Sequence, residues 1–146
     1  MHTRVEFKSA AFPKYADEDA ETVNPGRWGK RLAEFVRDNL PKHGVGTTDI
    51  LCEDWGWLVN TDHKDFPVWI GCGPLDEVVD TENGPDIQPG QSPDGLIEFA
   101  IFVTAEPGFF QRVFKRVDTA PAVQRTVDAL KSLIESTPEI IEPTWD

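Results

Sequence analysis

The chain is 146 residues long and sets 14 Lys and Arg against 26 Asp and Glu, a formal net charge of −12. This length predicts one domain over residues 1–146, and 39% hydrophobic with 10% aromatic residues excludes an intrinsically disordered chain. The carboxylate excess argues against general binding to nucleic acid or to an anionic membrane, both of which need a basic footprint.

Val5 and Phe7 alternate with Glu6 and Lys8, which predicts a first strand. Residues 9–24 read as a loop with Pro13 and the acidic stretch from Asp17 to Glu21. Asn24-Pro25 has the chemistry of a helix start, since Asn caps well and Pro suits the first helical position. Trp28, Leu32, Phe35, Val36 and Leu40 then recur at helical spacing until Pro41 and Gly44 stop the helix. Strand candidates follow at 48–53, 55–60 and 67–72, rich in Ile, Val, Leu and Trp and separated by Asp, Asn, Gly and Pro. Residues 73–95 read as a long acidic loop dense in Pro and Gly. Leu96 to Thr104 is the clearest strand, and its two mostly apolar faces place it centrally in a sheet. Phe110, Val113, Phe114 and Val117 fit a short helix, with a strand as the alternative over 109–117. A last helix runs from near Pro121 to about Ser136 on a stripe of Val123, Val127, Leu130 and Ile134, and residues 139–146 read as a loose acidic tail. Strands grouped between helices predict an α+β fold: a mostly antiparallel sheet of about four or five strands with two or three helices packed on one face.

Met1 to Phe7 lacks the apolar centre of a signal peptide, and no run approaches the roughly 18 apolar residues of a membrane span, so a soluble, cytoplasmic protein is expected. Cys52 and Cys72 match neither a CxxC pair nor zinc spacing and read as reduced and buried. His2 and His43 are isolated, and His63 sits in what reads as an exposed turn. HExxH, GxSxG and phosphate-loop motifs are all missing, so no catalytic residue, metal ligand or cofactor is assigned. Asp80-Thr81-Glu82-Asn83-Gly84 is a poor calcium loop, because its Gly comes one place early and no bidentate Glu follows at the right distance.

Two features rise above this background. From Asp65 to Gln111 there is no Lys or Arg, while nine acids, among them Asp76, Glu77, Asp80, Glu82 and Asp86, account for −9 of the −12. The bland account is a solvated loop that keeps the protein soluble; the functional one is a negative surface steering a basic protein partner. The second feature is Glu53-Asp54-Trp55-Gly56-Trp57. In an extended backbone Glu53, Trp55, Trp57 and Val59 share a side, and Gly56 lies where a neighbouring backbone can approach. Trp69 falls on the next strand candidate and can pair across from one of these indoles. Core packing is the leading account of these rings, with Glu53 or Asp54 accepting the indole N–H groups. The alternative is an aromatic groove with a carboxylate floor, used as a small-molecule pocket or an enzyme site, for which a second carboxylate beside Glu53 has no signal in the sequence.

The segments Asn24-Pro25-Gly26-Arg27-Trp28-Gly29-Lys30 and Glu53-Asp54-Trp55-Gly56-Trp57 resemble those of small uncharacterised bacterial proteins. In charge and architecture alone, the chain is similar to the immunity proteins of bacterial toxin systems, which neutralise toxin domains by direct binding. That similarity implies a binding role, immunity-like or adaptor-like, and transfers no site residue.

Overall fold

Side chains alternate between two sides along β1 (Arg4–Ser9), β4 (Val68–Pro74) and β7 (Ile97–Ala105), and Val5, Phe7, Val68, Ile70, Cys72, Phe99, Ile101 and Val103 turn to one side, where all are buried. The computed structural model describes residues 1–22, 27–89, 93–108 and 117–146, with the backbone alone at 76–79 and 85–89. With β2 (Thr47–Glu53), β3 (Gly56–Thr61) and β8 (Ile141–Trp145), these strands form a six-stranded antiparallel sheet in the order β2-β3-β4-β7-β1-β8. Leu32, Ala33 and Val36 of α1 (Lys30–Asn39) join Val123, Val127, Leu130, Leu133 and Ile134 of α2 (Ala120–Glu135) and the inward strand residues in one apolar core. Both helices therefore cover the same face of the sheet, and among the described residues no helix covers the other. The protein is α+β, with six strands in the main sheet instead of four or five. Among the described residues no helix is long and apolar enough to cross a membrane.

The first helix starts at Lys30, not at Asn24-Pro25, and residues 23–26 lie outside the described residues. Gly29, at φ +138°, turns the chain out of any helical approach, so Trp28 meets Phe99 edge-on from a position before the helix. Without a capping side chain at Gly29, the N-terminus of α1 takes its acceptor from the preceding loop. Glu18, wholly buried in a short 3-10 turn (Glu18–Ala20), accepts the N–H of Gly29 at 2.7 Å and of Lys30 at 3.2 Å through Oε2, and that of Tyr15 at 3.3 Å through Oε1. A carboxylate here satisfies otherwise orphaned donors and lies at the positive end of the helix dipole. The loop read over residues 9–24 thus holds the buried anchors Phe12 and Glu18.

The region 73–95 is not a loop throughout. β5 (Asp76–Thr81) and β6 (Gly84–Pro89) pair as a two-stranded hairpin closed by Glu82-Asn83. A two-residue turn makes Thr81–Gly84 a hydrogen-bonded pair, so Pro85 and Pro89 both fall on alternate positions whose N–H would point away from the partner strand. The prolines that signal a loop are therefore compatible with this ribbon. The tail is likewise a strand: β8 pairs with β1, Arg4 and Asp146 exchange backbone hydrogen bonds of 3.3 and 2.8 Å, and Trp145 packs against the core. The segment 109–116, read as helix or strand, lies outside the described residues. His63 is half-buried, not exposed, with its ring 4.6 Å from that of Phe66. Of the two free cysteines, Cys72 is buried, which pushes its thiol far up, whereas Cys52 is half-buried.

Replacing Glu18 by Ala leaves several inward N–H groups without an acceptor. Its expected cost is about 2–3 kcal/mol of unfolding free energy by urea titration, against less than about 0.5 kcal/mol for Glu21→Gln at the surface. Equal effects of the two substitutions would contradict the anchoring role of Glu18.

Candidate functional site

β2 and β3 are joined by the two residues Asp54 and Trp55, with Glu53 opposite Gly56. Gly56 has φ +152°, and a Cβ there would lie 2.8 Å from the carbonyl oxygen of Cys72, so only glycine lets the turn close against β4. The close approach at Gly56 is as expected from its neighbours; the common side for Trp55 and Trp57 is not. The chain reverses at Asp54-Trp55, which sends Trp57 into the core under α1 and leaves Trp55 38% exposed. Trp57 donates its indole N–H to Glu18 at 3.2 Å, and not to Glu53 or Asp54. Lys30, ion-paired to Glu21, lies 5.5 Å over the Trp57 ring. Trp57 is thus a core residue and leaves the candidate site.

Trp55 stacks on Trp69 with centroids 5.5 Å apart and planes 19° from parallel. Phe102 completes the cluster, 5.2 Å from Trp55 and 5.6 Å from Trp69. The three rings rest on the face opposite α1 and α2, because Phe102 and Trp69 have the outward parity of β7 and β4. Gly71 faces Phe102 across the ladder, and a Cβ at Gly71 would overlap the ring. The absent side chain at Gly71 is what lets the ring lie across the sheet. Leu51, 45% exposed, and buried Leu58 continue the apolar surface toward the β2 edge.

Trp55 divides two shallow grooves. One, of about 230 Å³, is lined by Glu53, Trp55, Leu58, Trp69 and Glu106. The other, also about 230 Å³, runs from Arg4 past Phe102 and Gly73 to Leu75. The groove thus holds a second carboxylate, Glu106, that no local pattern links to Glu53; Glu53 lies opposite Gly56 at one end of the strands, and Glu106 follows Ala105, the partner of Val68, toward the other. Arg4 is bonded to Glu6 at 2.7 Å and Lys8 to Glu142 at 3.2 Å, so the cations of β1 on this face are paired internally. Among the described residues no ion pair reaches Glu53 or Glu106.

Of the residues singled out in the sequence, Glu53, Trp55 and Trp69 come together here, and Asp54 sits exposed in the turn beside them. Asp76 and Glu77 begin β5, Asp80 is near its end, Glu82 is in the turn and Asp86 is on β6. All five acids belong to one hairpin that contains no Lys or Arg. Leu75, the residue before this hairpin, lines the second groove. Among the described residues no three His, Cys, Asp or Glu side chains gather as a metal site. Comparison of the chain with protein-family models, with curated proteins and with solved structures finds no match.

Gly71→Ala is expected to displace the Phe102 ring while the fold persists. The near-ultraviolet circular dichroism of the Trp cluster should change, with a stability loss of about 1–3 kcal/mol. An unaltered aromatic spectrum would contradict the packing of Phe102 on Gly71.

Proposed function

We propose that this protein binds a basic protein partner, in the manner of an immunity or adaptor protein acting in the cytoplasm, and holds a cationic segment of that partner on the Trp55–Trp69–Phe102 platform. The observation that carries this reading is the stack of rings on a sheet face that no helix covers among the described residues, with Glu53 and Glu106 lining the groove beside it. An arginine side chain laid on an indole face gains cation–π attraction, and a neighbouring carboxylate can accept its N–H groups. The five acids of the β5–β6 hairpin add to the negative field that guides a cationic partner inward. Rings act as anchors and charge as the guide, the division of labour common to protein interfaces.

Glu53 and Glu106 in one groove also support a second reading, a small-molecule site using this carboxylate pair. Its size weighs against it. Ligand pockets usually enclose roughly 300–1,000 Å³ and bury most of their ligand, whereas this groove offers about 230 Å³ beside a ring that is 38% exposed. Glu53→Gln separates the two: it abolishes turnover of any substrate that needs an acid here and only weakens docking of a cation.

Titration with a synthetic arginine-rich peptide, followed by tryptophan fluorescence at low salt, tests the proposal. Trp55→Ala keeps every charge and removes one ring, so affinity should fall roughly tenfold, as about 1–2 kcal/mol implies. Binding by wild type should weaken as salt rises to physiological strength, where screening acts beyond about 8 Å. Equal affinity of Trp55→Ala and wild type, or binding indifferent to salt, would overturn the reading.

A further inference from the structure

The two edges of the main sheet differ in kind. β8 carries Pro143, and Glu142 has φ +52°, so its outer row of backbone groups is interrupted. β2 contains no Pro, Gly, Lys or Arg over Thr47–Glu53, and its strand partner among the described residues is β3 alone. A register shift between Thr47 and Ile50 and the carboxylates Asp49 and Glu53 are the devices that blunt this edge, and they leave Ile50–Glu53 as a regular, pairable stretch. Ile50 and Cys52 stay half-buried against the core, and Leu51 is exposed on the face that carries the aromatic platform. An added strand would remove all three from water.

The charges on this edge decide what can pair with it. Glu53 shares the face of Leu51 by strand parity, and Asp49, inside the register shift between Thr47 and Ile50, is held on that face by its hydrogen bond from Asn60, which has the outward parity of Leu58 and pairs with Trp69. Asp49 accepts hydrogen bonds from Asn60 at 3.1 Å and Thr48 at 3.0 Å, which hold its carboxyl below the usual range and keep it ionised. A second copy pairing antiparallel about Leu51 would set Asp49 against Glu53 of that copy, twice over, and like charges opposite each other destabilise a ladder. A segment with cations four residues apart meets Asp49 and Glu53 with the opposite sign. Its middle residue then lies opposite Leu51 and gains by being apolar.

We infer that the outer edge of β2 takes an extended segment of the basic partner as a seventh, antiparallel strand, selecting the pattern cation–x–apolar–x–cation. The inference rests on the proposed basic partner and adds backbone pairing to the aromatic platform, which continues from Leu51 through Leu58. Main-chain hydrogen bonds supply affinity in this mode, and alternate side chains supply selectivity.

The probe is the peptide acetyl-Thr-Lys-Val-Leu-Val-Lys-Thr-amide, titrated into the isotope-labelled full chain. Two N-methylated forms accompany it, one blocked at both Val amides and one at the Lys and Leu amides. Strand addition uses the amides of one parity only, so one form should lose at least about tenfold in affinity while the other binds like the parent. Replacing both Lys by Glu should abolish binding, and the parent should shift the amide resonances of residues 48–53. Equal behaviour of the two methylated forms, or no binding of the parent at millimolar concentration, overturns the inference. A chain that sediments as a dimer and is dissociated by the peptide would make a second copy the occupant and overturn it too. Shifts confined to Trp55, Trp69 and Phe102 would reject the edge and keep the platform. Silence of both regions toward every cationic peptide would reject the two readings together.

Discussion

The carbonyl oxygen of Cys72 occupies the space where two other residues would carry a Cβ. Gly56 approaches it at 2.8 Å and Gly29 at 3.1 Å by that measure, and both hold positive φ. Three parts of the chain meet there: the start of α1, the β2–β3 turn and strand β4. Because the turn closes this tightly, two tryptophans only two residues apart leave on opposite sides of the sheet. One becomes core and the other becomes surface.

The two fates have different requirements. Trp57 goes inward with an N–H that must find an acceptor, and buried Glu18 accepts it while also serving the first amides of α1. One carboxylate therefore couples the helix start to the sheet, which explains why it is wholly buried despite its charge. Trp55 goes outward onto a face with no helix among the described residues, where Trp69 and Phe102 supply the contact it would otherwise lack. Gly71 leaves room for that contact. The aromatic platform is thus a consequence of how the core is closed on the other side.

Much of this was legible along the chain. Alternation in Val5–Phe7 marks a strand and its inward face, the run Leu96 to Thr104 with two mostly apolar faces marks a central one, and the stripe Val123, Val127, Leu130, Ile134 is the buried face of α2. Gly56 announces a close approach because nothing else in its neighbourhood calls for glycine. Other features were illegible for physical reasons. Pro85 and Pro89 mimic a loop, since their compatibility with a ribbon depends on hydrogen-bond parity that only the turn length sets. The acidic residues of 139–146 mask Ile140 and Trp145, which tie the tail to the core. Glu18 looks like one acid in an acidic loop, and apart from the N–H of Tyr15 its donors lie 11 to 39 residues away. Glu106 lines one groove with Glu53 only because β4 lies between β3 and β7, which no local pattern reveals.

The distinction between Trp55 and Trp57 is also where the functional account is most exposed. Each indole gives its own N–H resonance, so both can be followed while a cationic peptide is added at low salt to the intact chain. The account predicts that the Trp55 and Trp69 signals move together and saturate, while those of Trp57 and Trp28 stay fixed. Equal movement of all these indoles, or movement of Trp57 without Trp55, would contradict it.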